Sequence, residues 1–425
     1  MAKKFVAVIL SAMMVMSCIA ACSSDDKDSD SGDSAGSGDA IQDLIDSTDG
    51  TVKLTVWASE EDQELTKTLI DGFKAEYPDV SFDITVEACS ESTAKDTVLT
   101  DISAAADVFA FADDQINELV RAGALLEVTD SYTFNVSEEN LAGSVEAATV
   151  DGKLYAYPMT ADNGYFLYYD SNVYSESDVE SLDAMMAAAA ADGSKIGMCV
   201  SDAWYFYSFF KGAGFDLGLA DDGVTNTCNW NEEGGTDVAQ AIIDLCTSGT
   251  FVNAGDDAGI MTGVNDGVYS AVVSGMWNAQ AIEAAYGDGY AATKLPTFTL
   301  NGEQVQMSSF SGYKLIGVNA MSAQAGWATL LAEYLTNEQS QVTRFETRGL
   351  GPSNINASAS DAVQSNPAIA ALAAQAAYAT PQRVGGNYWA PAASLGSILA
   401  AGNPDNTALQ SLLDECVAGI EAAVI

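Results

Sequence analysis

Carboxylates, a few thiols and many aromatic rings are the groups that could do chemistry here, because none of the 425 residues is a histidine. That absence excludes Ser-His-Asp and Cys-His nucleophile machinery and removes the usual zinc ligands. Adjacent acids occur at Asp113-Asp114 and at Glu60-Glu61, and a pair of carboxylates is what glycoside hydrolysis needs. With 60 acidic residues in the chain such neighbours arise by chance, and neighbours on one segment rarely face each other across a bond. The stretch DDKDSDSGDS spaces its aspartates loosely like a calcium loop, without the closing glutamate or flanking helices. Cys89, Cys199, Cys228, Cys246 and Cys416 are widely spread, with no CxxC motif for metal or redox work. Buried free thiols are expected, with one disulfide among Cys199, Cys228 and Cys246 as the alternative, and no metal or cofactor.

Cys22 belongs to a different chemistry. Lys3 and Lys4 precede an apolar run from Phe5 to Ala21, with small residues just before the cysteine. The run is too short and wrongly flanked for a membrane span and reads as a secretory signal over residues 1–22. Ala20-Ala21-Cys22 resembles a bacterial lipobox, so Cys22 is the expected lipidation site. The mature chain would then be held by acyl chains on the outer face of the cell membrane. Residues 23–50, rich in Ser, Asp and Gly, are expected to be a flexible acidic tether. The net charge of −44 disfavours nucleic acid and anionic lipid headgroups as partners and suits neutral solutes or cations.

The remaining length and a hydrophobic content of 48% permit two or three domains with real cores. Val52 to Trp57 alternates as a strand. A helix follows, with Ser59 and Asp62 in a capping arrangement and Leu65, Leu69, Ile70 and Phe73 on its apolar face. Phe82, Ile84 and Val86 alternate on the next strand, Asp107 to Phe111 reads as a buried strand, and Ile116, Leu119 and Val120 mark another helix. Strands alternating with helices predict an α/β lobe with a mainly parallel sheet, whose ligands sit at the carboxyl ends of the strands. Those ends are Trp57 to Glu60 and Phe111 to Asp114. From Met159 to Thr297 helices are expected around 182–191, 204–213 and 236–247, giving a second, more helical lobe.

Several segments, in order, resemble an extracellular solute-binding protein of an ABC sugar importer, of the maltose-binding type. They include Leu54-Thr55-Val56-Trp57, Asp107-Val108-Phe109 with Ala112-Asp113-Asp114, and Gly152-Lys153-Leu154-Tyr155-Ala156-Tyr157-Pro158. Ser274-Gly275-Met276-Trp277, Phe310-Ser311-Gly312 and Ala332-Glu333-Tyr334-Leu335 continue the series. The resemblance spans Val52 to Ile425. It implies an α/β, two-lobed periplasmic-binding-protein-like fold with hinge crossovers and a central ligand cleft. Residues 51–160 and 306–352 would form one lobe, and 161–305 with 353–425 the other. Crossovers would fall near Met159–Asn163, Gly302–Met307 and Gly349–Ser353. A monomer that is not an enzyme, working with ABC permease subunits, is the implied partner scheme.

The same resemblance nominates the site. Trp204, Trp277, Trp389 and Phe111 match positions where the family stacks rings on sugar, with Tyr205 beside Trp204. Asp114 matches a carboxylate that accepts sugar hydroxyls, while Gln115 stands where the family has an arginine. Glu60, with Glu61 and Asp62, lies near a family contact pair, equally well read as first-turn acids favoured by the helix dipole. Asp162 or Asn163 falls at the crossing where the family has a contacting glutamate, Asp202 precedes Trp204 as the family's acid does, and Arg383 lies at the cleft edge or pairs with surface acids. An oligosaccharide is the implied ligand, maltose or a malto-oligosaccharide first. A cationic solute or peptide on the same fold, and a surface glycosidase, remain the alternatives.

Overall fold

The computed structural model describes residues 37–129 and 132–423. Cys22, the leader and the tether up to residue 36 lie outside the described residues. Where the tether was expected to continue, Ser37–Ser47 is instead an α-helix. Ile41, Leu44 and Ile45 recur at helical spacing and pack against an apolar core. The Trp327 indole N–H donates to Thr48 Oγ1 at 2.8 Å just beyond the helix. An acidic composition concealed a short amphipathic stripe.

One five-stranded sheet runs in the order Ser81–Ala88, Thr51–Ala58, Val108–Ala112, Lys314–Val318, Tyr157–Thr160. Its first three strands are parallel, while Lys314–Val318 is antiparallel to both of its neighbours. Helices cover both faces, so the sheet has two cores. One is built around Val56, Phe73 and Trp327, the other around Phe109, Phe111, Leu119 and Leu315. A strand buried on both faces shows no alternation, which is why Val108–Ala112 is an unbroken apolar run.

A second five-stranded sheet is ordered Phe251–Asn253, Lys195–Met198, Tyr269–Gly275, Tyr165–Asp170, Tyr290–Thr293. A single large core encloses it, rich in rings such as Phe206, Phe210 and Trp230. Met307, Phe310 and Leu350, expected in the first lobe, pack into this second core.

The chain passes between the sheets at Thr160 to Tyr165, and again between Ser309–Ser311 and Lys314–Val318. The second passage was expected at 302–307. Asn301 and Gly302 instead take positive φ and turn the hairpin of Thr297–Leu300 with Glu303–Gln306. The two passages are tied together by Asn163 N–H, which donates to Gly312 O at 3.2 Å, and Ala161 N–H donates to Gly351 O at 2.9 Å, in the segment Gly349–Ser353 expected as a third crossover. All five cysteines among the described residues are free thiols.

Candidate functional site

The second lobe supplies an aromatic corner. Asp202 caps the helix Ala203–Gly212, its carboxylate accepting the Trp204 backbone N–H at 2.8 Å. That cap fixes the helix start and stands Trp204 at its first turn. The half-buried Trp204 ring lies 4.6 Å from Tyr165, 5.1 Å from Tyr205 and 5.6 Å from Trp277, centroid to centroid. Trp277 follows the strand Tyr269–Gly275 and folds back over Gly275, where any side chain would collide with the ring. Both indoles are held by their N–H groups: Trp204 Nε1 donates to Gln382 Oε1 at 2.6 Å and Trp277 Nε1 to Asp257 at 3.0 Å. Trp389 is half-buried at 6.3 Å from Phe310 and 4.9 Å from Tyr388. The Tyr388 hydroxyl donates to Ala203 O at 2.6 Å, joining Trp389's helix to that of Trp204. Tyr205 is almost wholly packed.

The first lobe supplies charge. Asp62 is buried, with its Oδ1 2.9 Å from Arg348 Nε. Its carboxylate turns to the guanidinium, and neither it nor Ser59 caps the helix by a side-chain bond. Glu60 is exposed. Lys314 reaches out from its strand, with Nζ 3.9 Å from Glu91 and 5.7 Å from the centroid of the Trp277 ring. Burial alone would lower the Lys314 ammonium, but Glu91, Asp162 and Asp62 outweigh it and raise it. Asp162 is buried and accepts Gly351 N–H at 2.6 Å. Asn163 Nδ2 lies 3.4 Å from Gln382 Oε1.

Asp113 and Asp114 sit at the end of the central strand. Burial pushes the Asp113 carboxyl up to about 7, against the Tyr313 N–H and Arg383, which both lower it. Burial, and then the Asp113 charge, lift Asp114 well above the carboxylate range, while a hydrogen bond from Gln382 works the other way. Asp114 Oδ1 has no hydrogen-bond partner among the described residues. Arg383 thus faces Asp113, and no ion pair joins it to surface acids among the described residues.

Two nominated residues do other work. Phe111 is completely buried, packed against Phe109 with Leu119 and Leu315 in the same core, and has no face free for a ligand. Phe111 is therefore withdrawn from the ring set, while Trp57 and Tyr313 of the same lobe are only partly buried. Gln115 is buried and spent on the backbone, its Oε1 accepting Lys95 N–H at 2.8 Å and its Nε2 donating to Glu91 O at 2.6 Å. It ties the segment carrying Glu91 to the central strand. Lys314 and Gln382 were missed, since a lone Lys in a strand and a Gln after Pro381 carry no local signal.

A cavity of about 330 Å³ adjoins this corner. It shares Asp162 and Asn163, but its other walls are Phe310, Leu141, Val363 and Leu372, and no tryptophan lines it. It lies beside the aromatic corner and is not the same space. No group of three or more acids or cysteines that could hold a metal occurs among the described residues.

A family model described as bacterial extracellular solute-binding protein matches residues 68–371. The galactooligosaccharide-binding protein of Bacillus subtilis (strain 168) is 28% identical over 377 residues, covering 83% of this chain and 86% of that protein. A solved structure of a complex with acarbose is similar at TM-score 0.75 and 29% identity, covering 86% of this chain and 99% of its own. The maltodextrin-binding protein from L. casei BL23, solved without ligand, gives TM-score 0.72 at 25% identity and covers 88% of this chain and all of its own, 100%.

Proposed function

Because the chain belongs to the bacterial extracellular solute-binding protein family, we propose that it captures an uncharged oligosaccharide outside the cell and delivers it to an ABC permease. The observation that carries this is the corner of Trp204 and Trp277, two half-buried indoles 5.6 Å apart whose N–H groups are both engaged. Flat apolar faces suit the C–H side of a sugar ring, and fixed polar groups opposite select among its hydroxyls. Asp114, Lys314 and the Asp62–Arg348 pair are the polar groups on the facing wall. The relatives are binding proteins and not enzymes, so the neighbouring acids Asp113 and Asp114 are not read as a hydrolytic pair.

A malto-oligosaccharide is the first ligand to test, supported by the maltodextrin-binding and acarbose-bound relatives. The galactooligosaccharide-binding relative favours a second reading, a galacto-oligosaccharide at the same rings. Titration calorimetry with maltotriose, acarbose and a galacto-oligosaccharide separates the two. Binding of one series with quenched or shifted tryptophan emission is expected, and silence toward every neutral glycan would overturn the reading. Attachment to the outer face of the membrane through a lipidated Cys22 belongs to the same proposal. Cys22→Ala is expected to release the protein into the medium, and retention of that variant in the membrane fraction would overturn the anchor.

A further inference from the structure

Gln382 is the point where the parts of this site meet. It is buried, and its backbone N–H donates to Ser311 O at 2.7 Å, pinning it to the second passage between the lobes. Its side-chain oxygen accepts the Trp204 indole N–H at 2.6 Å and lies 3.4 Å from Asn163 Nδ2, on the first passage. An amide oxygen occupied by two donors leaves the amide nitrogen free to donate elsewhere. Beside it stands Asp114 of the first lobe, with an unpartnered, buried Oδ1. One side chain therefore touches both passages and the stacking ring, and adjoins the first-lobe carboxylate.

We propose that Gln382 is a positioning residue that joins the stacking ring to the first-lobe carboxylate, its amide oxygen orienting Trp204 while its amide nitrogen donates to Asp114. Ser311 and Asn163 both stand on the second-lobe side of the passages, so the amide that holds the indole is fixed at the point where the chain leaves for the first lobe. Trp204 alone cannot supply this link, because its one donor is already spent on Gln382. The proposal rests on the sugar-binding reading for its ligand, although the relay itself exists in the ligand-free chain.

The test compares Gln382→Ala, Gln382→Glu, Asp114→Asn and the double variant Asp114→Asn/Gln382→Glu. Gln382→Ala frees the indole N–H, so the near-ultraviolet circular dichroism and tryptophan emission of the ligand-free protein change. Its affinity for the best-binding glycan falls about tenfold, the scale of one lost hydrogen bond. Gln382→Glu keeps an acceptor for Trp204 but sets a carboxylate against Asp114, and affinity falls at least as far. In the double variant the amide introduced at position 114 donates and the carboxylate introduced at position 382 accepts, so most of that loss is regained, a coupling that a merely structural residue would not show. Unchanged spectra in Gln382→Ala, or strictly additive effects of Gln382→Glu and Asp114→Asn, would sink the proposal. If the wild-type protein ignores all glycans, the ligand reading fails separately, and the ligand-free spectra still decide whether Gln382 orients Trp204.

Discussion

In the proposed site, the second lobe contributes the rings of Trp204 and Trp277, whereas the first contributes Asp114, Lys314, and the Asp62–Arg348 pair. The difference begins in the cores behind them. The second lobe surrounds its sheet with one large aromatic core, and its spare rings spill onto the surface where helices begin. The first lobe seals its sheet with two smaller cores that take in Phe73, Phe109, Phe111 and Trp327, while Trp57 and Tyr313 stay partly exposed. What is left at the mouth of the first lobe is polar, and burial forces those groups to pair or to change their protonation. One wall offers contact area, the other direction.

The largest effect that tests this contrast is on Phe111. Phe111→Ala removes a fully buried ring and is expected to cost about 3–5 kcal/mol of unfolding free energy, read from urea transitions. Glycan affinity measured where the variant is still folded should stay within about twofold of wild type. A selective loss of affinity without loss of stability would return a ring to the first-lobe wall and erase the contrast.

Next in size is the pH response of the charged wall. Asp113 sits at about 7 in the folded protein, above the roughly 4 of a free carboxyl. Between those values the folded state holds a proton that the unfolded state has lost, so stability falls as pH rises from about 4 to about 7. Asp113→Asn removes that penalty while its oxygen still accepts the Tyr313 N–H. A gain on the order of 4 kcal/mol at pH 8 is expected, vanishing near pH 4. Asp114 is shifted the same way and keeps its own share, so the slope shrinks without disappearing. Identical stability profiles for variant and wild type would show that Asp113 carries no such burden.

On the aromatic wall, Trp204→Ala and Trp277→Ala should each lower glycan affinity by about 2 kcal/mol, roughly thirtyfold, with little change in the pH slope. Affinity left intact in both variants would remove the stacking role from this corner.

The contrast was only half legible in the sequence. Trp204 and Trp277 were nominated by the family resemblance, and they stand at a capped helix start and a strand end. Phe111 could not be placed, because a strand covered on both faces gives no alternation to tell a core ring from a cleft ring. Glu60 and Asp62 share one turn, and only the fold brings Arg348 to the second and leaves the first in solvent. Gln382 meets Trp204 across 178 residues of chain, a separation at which no spacing rule operates. The first α/β lobe was readable from alternating strands and helices, whereas the two-lobed plan and its passages came from the family resemblance, which put the second passage at a hairpin turned by Asn301 and Gly302.

The smallest expected effect concerns the Asp62–Arg348 pair, and it separates a built wall from a merely wet surface. Asp62 is buried, but the Arg348 side chain is 22% exposed, so water still screens part of the interaction. Removing one partner strands the other among charges already matched: Arg348→Met leaves Asp62 without its donor, close to Glu91 and Asp162. A cost of about 1–2 kcal/mol in unfolding free energy is expected, below the figure for a fully buried pair because of that screening. Asp62→Asn added to Arg348→Met takes away the stranded charge and should restore most of the loss. A solvated surface pair would behave differently, with both single variants within about 0.5 kcal/mol of wild type and no recovery in the double. Measured by urea unfolding at low and high salt, a cost that persists in salt would assign the pair to the interior of the wall, since screening reaches exposed charges first.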